Sequence, residues 1–490
     1  MLSRISLIVF LSVLASVVAA QDISPAAPAT GAASETLVDS IDILAWKDSS
    51  FNVSPDSKHI AYVLQEGEQQ RVVVDGVKGK PYDGIGMRTG FFSPDSRRIA
   101  YIAQQGEQWY AVIDGNEEGP YDALINPVFS PDSKQVAYKA KQLNGTTVVV
   151  VNGEAIRTHD GVERRSLVFS SNSQRFAYVA SKIMPGGHSV EFVVLDGKEG
   201  RPYDGIGEAT LSFSPDGQRV AYRAMQEDRE FAVVGGVEGP RYDGIGTIMP
   251  VFSPDSQHVA YVAERQERQF LVVNGKESAH HAKILSVPRF SPDSRHIGFV
   301  AELHEQQYIV VDGHAGKKYE DISLTEPVFS QDSKHSAYVG RGHGKYVLVM
   351  DGQEYAAHDY IGPLVEPFSP DGSRLAYRAG RGDKLFAVVD GQEQKPYDTI
   401  GTEGPSFSPG GKHIVYRALT GATMHVVVDG VEGPPYDLIL NTVKFDGDDS
   451  LRYVAFKNDK AYLVAHDLRE GNAVPASPLA ELSPPQESRH

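Results

Sequence analysis

The stretch VFSPDSQHVAY, Val251 to Tyr261, decides the fold, because its pattern recurs along nearly the whole 490-residue chain. A short apolar strand is followed by a turn, a second strand ending in Ala-Tyr, and a third strand that ends at Asn274-Gly275. The first serine of each turn marks the copies, at Ser54, Ser93, Ser130, Ser170, Ser214, Ser253, Ser291, Ser330, Ser369 and Ser408, with a degenerate eleventh copy at Phe445-Asp446. The copies lie 37 to 44 residues apart, with a period close to 39. Such a period indicates a repeat architecture in which stacked neighbours bury each other's apolar faces.

The strands of the repeat are short and apolar on both faces. The second strand, as in Ile60 to Val63, and the third strand, as in Val72 to Val74, are both rich in β-branched residues. Each third strand ends in a residue pair that tolerates positive φ in a tight hairpin, as at Asp75-Gly76. A shorter fourth strand follows near Tyr82-Asp83. Four antiparallel strands per repeat predict an all-β chain, a β-propeller of about eleven four-stranded blades.

The residues FSPDGQRVAY, from Phe213 to Tyr222, resemble the Pro-Asp repeat of TolB-like propellers, which are WD-like in type. The resemblance extends from Phe51 to Leu468. It implies a propeller but leaves function open, since such blades occur in binding proteins, in envelope assembly factors and as caps on hydrolases. The Gly-His and Trp-Asp pairs of WD repeats are missing, and we see no room for the α/β domain that precedes the TolB propeller. The partner-binding role of TolB is therefore not carried over.

Eleven blades exceed the four to eight of a typical propeller. We therefore predict two rings of about five and six blades with a seam near residues 210–250, one large ring being the alternative. The longest interval between copies contains the insertion Lys182 to His188. The eleventh repeat ends after its third strand, and Val38 to Ile41 resembles the fourth-strand region of blade 1. We expect this N-terminal segment to supply the missing outer strand, within a repeat array over residues 38–468.

The chain ends predict export. Residues 1–20 have Arg4, an apolar run and a small-residue cleavage site before Gln21, as in a secretory signal peptide, an uncleaved anchor being the alternative. A periplasmic or secreted location follows. We expect a flexible Ala/Pro/Ser spacer over residues 21–37 and a disordered Pro-rich tail over residues 469–490. The chain has no cysteine, which excludes disulfides and thiol catalysis.

Composition limits the partners. The chain has 47 Lys and Arg against 64 Asp and Glu, a net charge of −17, which disfavours nucleic acid and anionic membrane surfaces. We expect a monomer without cofactor or stable membrane insertion, whose partner is an envelope protein, peptide or glycan. The chain contains no Gly-x-Ser-x-Gly, His-Glu-x-x-His or P-loop motif. The sequence thus favours a non-catalytic binding module. The alternative is a glycan-active enzyme, a lyase or hydrolase with carboxylates at a propeller mouth.

The aspartates of the Ser-Pro-Asp turns recur in too many blades to form one catalytic pair. We expect them to accept hydrogen bonds from backbone N–H groups within their own turns. These structural aspartates are Asp56, Asp95, Asp132, Asp216, Asp255, Asp293, Asp332 and Asp371. A second acidic group contains Asp446, Asp448 and Asp449. One alternative is a solvated turn, and the other is a loop that binds Ca²⁺, although the ligand spacing of an EF-hand is missing.

Five blades carry a cation directly after the Ala-Tyr pair, where most carry Val or Ile. A cation on a packed strand needs a partner, so one hypothesis is inter-blade ion pairing. The other is that Arg378, Arg417 and Lys457, on three successive blades, bind an anionic ligand such as a sugar acid or a peptide carboxylate. The five cations are Lys139, Arg223, Arg378, Arg417 and Lys457.

Three histidines replace a tyrosine that recurs six residues after each turn glycine. They are His159, His281 and His358, in blades 3, 6 and 8. A shared zinc needs ligands about 2.0–2.1 Å from one ion, whereas each intervening blade adds about 10 Å. We therefore predict three separate surface or inter-blade substitutions and no metal. Only the adjacent pair His280-His281 leaves room for a local metal site.

Overall fold

The computed structural model describes residues 33–40, 50–86, 92–246, 249–322, 326–440 and 443–469. The expected signal peptide, most of the expected spacer and the tail from residue 470 lie outside these ranges. Every regular element within them is a β-strand. Among the described residues no helix is long and apolar enough to cross a membrane.

The strands form eleven antiparallel sheets, which we call blades 1 to 11 in chain order. An N-terminal strand, β1, spans Ala33–Ser40. Blades 1 to 5 contain β2 Asn52–Val53, β3 Ile60–Glu66, β4 Gln69–Val74, β5 Val77–Lys78; β6 Gly84–Ile85, β7 Ala100–Gln105, β8 Gln108–Ile113, β9 Asn116–Tyr121; β10 Ala123–Phe129, β11 Val136–Lys141, β12 Thr147–Val151, β13 Glu154–His159; β14 Gly161–Val162, β15 Val168–Phe169, β16 Phe176–Ile183, β17 Ser189–Leu195, β18 Lys198–Glu199; and β19 Gly205–Ile206, β20 Ser212–Phe213, β21 Val220–Gln226, β22 Arg229–Val234, β23 Val237–Glu238.

Blades 6 to 11 continue the same order. They contain β24 Gly244–Ile245, β25 Val251–Phe252, β26 Val259–Arg265, β27 Arg268–Val273, β28 Lys276–Glu277; β29 Lys283–Ile284, β30 Arg289–Phe290, β31 Ile297–Leu303, β32 Gln306–Val311, β33 His314–Tyr319; β34 Asp321–Ile322, β35 Val328–Phe329, β36 Ser336–Gly342, β37 Lys345–Met350, β38 Gln353–His358; β39 Tyr360–Ile361, β40 Ala376–Arg381, β41 Lys384–Val389, β42 Gln392–Glu393; β43 Thr399–Ile400, β44 Ser406–Phe407, β45 Ile414–Thr420, β46 Thr423–Val428, β47 Val431–Glu432; and β48 Leu438–Ile439, β49 Lys444–Phe445, β50 Ser450–Lys457, β51 Lys460–Asp467.

Each blade is a four-stranded meander. In blade 5 the first strand consists of two short segments, β19 and β20, which both pair with β21, and β22 and β23 follow in order. The same order recurs in blades 1 to 10, with the first strand in one or two segments, whereas in blade 11 the N-terminal strand β1 takes the place of the fourth strand. This topology confirms the predicted all-β propeller of eleven four-stranded blades. The number of rings, two or one, stays a prediction.

Hairpin turns set the strand register. At Asp75-Gly76 both residues have positive φ, 48° and 78°, as a two-residue type I′ turn requires. The Asp75 side chain also fixes the turn, because its Oδ1 accepts from the Ile60 N–H at 2.9 Å and its Oδ2 lies 2.7 Å from His59 Nδ1. This predicted turn pair therefore acts through both backbone and side chain.

The chain divides into two compact units. One contains residues 1–40 and 356–490, and the other contains residues 41–355. The division does not fall at residues 210–250, where we expect a seam. Blades 5 and 6 pack directly there, with Ala221 and Ala232 in one apolar cluster with Tyr261 and Phe270.

Strand β1 completes blade 11 within the first unit. It pairs antiparallel with β51, from Ala33 opposite His466 to Ser40 opposite Lys460, and Tyr436 donates to Glu35 Oε1 at 2.7 Å. Both chain ends therefore contribute to one blade. Residues 33–37, which we place in a flexible spacer from composition, belong to this strand because the open edge of β51 offers them backbone partners.

Candidate functional site

The Ser-Pro-Asp aspartates lie in the turns between the first and second strands. Asp95 Oδ1 accepts from the Ser93 hydroxyl at 2.6 Å and from the Arg97 N–H at 3.1 Å. These hydrogen bonds hold the pKa of Asp95 below its usual value. The serine–aspartate bond recurs at Asp56, Asp132, Asp216, Asp255, Asp293, Asp332 and Asp371.

The second serine of the turn connects neighbouring blades, a role that the sequence analysis missed. Ser96 Oγ in blade 2 accepts from the Asp56 N–H of blade 1 at 3.0 Å. Ser96 has a φ of 65°, an uncommon conformation for a residue with a Cβ. Equivalent bonds join Asp95 to Ser133, Asp132 to Ser173, Asp216 to Ser256, Asp255 to Ser294 and Asp293 to Ser333.

The three carboxylates of the alternative Ca²⁺ loop have separate partners. Asp446 pairs with Arg452, Asp448 Oδ1 accepts from the Gly410 N–H at 2.9 Å, and Asp449 Oδ1 lies 2.9 Å from Lys412 Nζ. Asp448 thereby connects blade 11 to blade 10 as the second serine does elsewhere. Among the described residues no group of three or more His, Asp or Glu side chains is placed to hold a metal ion.

Arg378 and Arg417 hold blades 9, 10 and 11 together. Arg378 Nη1 donates to the Ile400 carbonyl at 3.0 Å and Nη2 donates to the Tyr360 hydroxyl at 2.8 Å. Arg417 Nη1 donates to the Ile439 carbonyl at 2.5 Å. In each case the carbonyl belongs to the first strand of the next blade.

Glu403 occupies the position that a ligand carboxylate would need at Arg417. Its two oxygens lie 2.5 and 2.7 Å from Arg417 Nε and Nη2. Burial raises the pKa of Glu403, but the hydrogen bonds and charge of Arg417 and the charge of Arg378 outweigh burial and hold this pKa below its usual value. The carboxylate is therefore ionised near neutral pH and competes with any anion for this guanidinium.

Lys139 and Arg223 make the same kind of inter-blade contact. Lys139 Nζ donates to the Glu163 and Arg164 carbonyls of blade 4, and Arg223 Nη1 donates to the Ile245 carbonyl of blade 6 at 3.2 Å. Burial lowers the pKa of Lys139 to about 8, although the charge of Glu163 acts in the opposite direction. Lys139, Arg223, Arg378 and Arg417 thus each bind a backbone carbonyl of the next blade. Arg417 and Arg223 also pair with a glutamate, Glu403 and Glu230 respectively.

Lys457 does not share this position. Ile439 pairs with Ala455 in blade 11 as Ile400 pairs with Ala418 in blade 10, so Tyr453 corresponds to Tyr416 and the residue after it is Val454. Lys457 lies at the end of β50, where its Nζ is 6.0 Å from the Tyr436 ring centroid. The structure therefore does not bring the three proposed ligand-binding cations into one patch.

The three histidines lie between neighbouring blades. His159 Nε2 is 3.0 Å from the Tyr178 hydroxyl, and His281 Nδ1 is 2.8 Å from the Tyr308 hydroxyl. The His358 ring packs edge-on against Tyr377 and Phe386. Burial lowers the pKa of all three histidines, which favours the neutral ring.

A cleft between blades 9 and 10 offers little room. It is lined by Val389, Gln394, Ile414, Tyr416, Asp429 and Gly430, and its volume of about 10 Å³ fits a single water molecule.

The hairpins between the second and third strands of blades 3 and 4 differ from the rest. Residues 142–146 and 184–188 form five-residue connections, whereas the same connection has two residues in the nine other blades. Near their tips Leu143 and Ile183 have exposed fractions of 59% and 62%. The insertion Lys182 to His188 is thus a lengthened hairpin within one unit rather than a feature of a seam.

Comparison with known proteins gives structural likenesses but no family. No protein-family model and no curated protein sequence matches the chain. A crystal structure of the eukaryotic initiation factor aligns with 69% of this chain and 96% of its own, at 12% identity and a TM-score of 0.37. The crystal structure of TolB from Acinetobacter baumannii aligns with 76% of this chain and 80% of its own, at 14% identity and a TM-score of 0.24. Likenesses at this level give no information on ligand or activity.

Proposed function

We propose that the protein is an exported, non-catalytic propeller of the TolB-like type that binds a protein, peptide or glycan in the cell envelope. The observation that carries this proposal is a difference between two groups of residues that depart from the repeat: one group connects blades, and the other is exposed on hairpins. Arg378, which is buried, and Arg417, which is partly buried, connect one blade to the next. The exposed departures, Leu143 and Ile183, lie on lengthened hairpins.

Structural residues between blades and exposed apolar residues on hairpins are typical of a binding scaffold. Blades connected by turn serines, guanidinium groups and shared apolar clusters hold their hairpins in fixed positions, and binding residues in proteins concentrate on loops supported in this way. Exposed aliphatic side chains on neighbouring hairpins suit a macromolecular surface better than a small substrate, which is bound in a concave pocket. Among the three ligand classes we therefore favour a protein or peptide.

The experiment uses the exported protein immobilised on a resin. Its intact mass is measured first, and a chain that begins at or near Gln21 is expected from export. Envelope extract is then separated into protein and glycan fractions, and each fraction is passed over the resin and over a blocked resin. We expect specific retention from the protein fraction and unchanged glycans in the flow-through. New reducing ends or unsaturated products in the glycan fraction would support the lyase or hydrolase alternative and refute the proposal.

A further inference from the structure

We infer that the hairpins of blades 3 and 4 form a docking surface for an acidic, apolar segment of a partner protein. This inference rests on the proposed binding function and adds the surface and the chemistry of the partner. The surface, called the blade 3–4 hairpin face below, consists of residues 141–147 and 182–189. Both segments lie within the same compact unit.

The blades that carry the two hairpins are neighbours and contact each other at several levels. The Asp132 N–H of blade 3 donates to Ser173 Oγ of blade 4 at 2.9 Å, and Arg157 lies 3.2 Å from Glu199 across the fourth strands. Ala137 and Val149 of blade 3 share an apolar cluster with Tyr178 and Phe192 of blade 4. Both hairpins therefore extend from sheets that pack against each other.

Apolar residues at the tips are peculiar to these two blades. The residue five positions after the second-strand aromatic is Leu143 in blade 3 and Ile183 in blade 4. The other blades carry glycine or a polar residue there: Gly67, Gly106, Glu227, Gln266, His304, His343, Gly382, Gly421 and Asn458. Leaving two large aliphatic side chains more than half exposed brings no folding benefit, since burial of such a side chain is worth about 1.5–3 kcal/mol. A partner that covers them recovers this free energy.

The charge of the hairpins also departs from the rest of the chain. Lys141 and Lys182 are exposed, and neither makes an ion pair with a described residue. The sequence has no Asp or Glu between Asp132 and Glu154, or between Glu163 and Glu191. Two carboxylates of the preceding segments adjoin the hairpins: Asp160, whose Oδ2 accepts from the Ile183 N–H at 2.8 Å, and Asp122, whose N–H donates to the Lys141 carbonyl at 2.9 Å. By contrast the hairpins of blades 1, 2, 5 and 6 carry acidic residues, such as Glu66, Glu107, Glu227 and Glu267.

On a protein of net charge −17, an apolar face that carries two exposed lysines without ion-pair partners among the described residues complements an acidic partner. Lysine ammonium groups beside the apolar side chains attract carboxylates and set the orientation of docking, while the aliphatic side chains supply most of the contact free energy. The rest of the acidic surface repels the same partner and confines it to this face.

The test uses a display library of random 12-residue peptides as the probe. Peptides are selected on the wild-type exported protein and re-measured against the double variant Leu143→Ser/Ile183→Ser and the double variant Lys141→Glu/Lys182→Glu. The matched control is Val77→Ser/Val237→Ser, which removes two residues that are each 72% exposed on fourth strands. Circular dichroism melts confirm that each variant is folded.

We expect the enriched peptides to carry an excess of Asp and Glu together with Leu, Ile or Phe. Their affinity should fall at least tenfold in both hairpin variants and less than twofold in the control. Enrichment of basic or purely polar peptides, equal losses in the control, or no enrichment would overturn the inference. A wild-type dimer that dissociates in the Leu143→Ser/Ile183→Ser variant would assign the face to a second copy of the chain and also overturn it.

The failure of this inference differs from the failure of the proposed function. If the resin experiment retains an envelope ligand equally on wild type and on the Leu143→Ser/Ile183→Ser variant, the binding function stands and the hairpin face is wrong. If the variant and the wild type both retain nothing and glycan products appear, the binding function itself fails.

Discussion

Replacing Arg417 with methionine tests whether this cation is structural. Methionine keeps an unbranched apolar stem but removes the two hydrogen bonds to Glu403 and the one to the Ile439 carbonyl. Breaking a fully buried pair costs about 3–5 kcal/mol, but the Glu403 side chain is 32% exposed and can be partly hydrated. We therefore expect Arg417→Met to lower the free energy of unfolding by about 2–3 kcal/mol at pH 7, scaled down for this hydration.

The loss should depend on pH in a defined direction. The folded pKa of Glu403 is lowered, so its ionised form stabilises the fold above the unfolded pKa of about 4.3, and this contribution is lost as the pH falls through the folded pKa. The difference between wild type and Arg417→Met should therefore shrink at pH 3.5. Urea titrations followed by far-ultraviolet circular dichroism at both pH values measure it.

A double-mutant cycle with Glu403→Gln isolates the pair, and we expect a coupling of about 1–2 kcal/mol at pH 7. A change below about 0.5 kcal/mol for Arg417→Met, within the range of ordinary surface substitutions, would refute the structural role. A penalty of equal size at pH 3.5 would show that the charge of Glu403 is irrelevant. Normal stability with loss of an anionic ligand would instead restore the ligand-binding hypothesis.

Three further predictions concern the fold. Ser96→Ala removes the acceptor for the Asp56 N–H and should lower the free energy of unfolding by about 1 kcal/mol. Ser96→Gly should lower it less, because glycine accepts a φ of 65°. Equal losses of unfolding free energy in urea titrations would contradict this. His466, whose pKa burial lowers to about 4, stabilises the fold above the unfolded pKa of about 6.5 and ceases to do so as the pH falls toward 4. His466→Gln should therefore lose less stability than wild type between pH 7 and pH 4, and parallel melting curves would argue against it. Deleting residues 33–40 removes β1 from blade 11 and should lower the melting temperature much more than deleting residues 470–490 does. Equal melting temperatures of the two deletion variants would contradict this.

The blade could be predicted from sequence because its signals are local. The φ > 0 turn at Asp75-Gly76 and the hydrogen bonds around Asp95 depend on residues a few positions apart. Inter-blade roles depend on residues about 40 positions apart, and the pattern alone does not pair them. The sequence therefore assigned no role to the Ser96 hydroxyl, because its donor, the Asp56 N–H, lies in the turn of the preceding blade.

The alignment of blade 11 failed for a physical reason. Ala455-Phe456 imitates the Ala-Tyr pair, but the register of β50 against β48 places Tyr453 in the repeated position. A shortened turn before β50 shifts the strand start, and only the pairing reveals it. Leu143 and Ile183 carry no polar signal, and they differ from the repeat only when the residue five positions after the second-strand aromatic is compared in every blade.

Site-specific photo-crosslinking in intact cells tests the binding surface most directly. A photoreactive amino acid replaces Ile183 on the blade 3–4 hairpin face, and in a matched control it replaces Val237, which is 72% exposed on the fourth strand of blade 5. We predict that irradiation gives one adduct of defined mass from position 183 and none from position 237. No adduct at position 183, or the same adduct from both positions, would contradict a partner-binding role for this face.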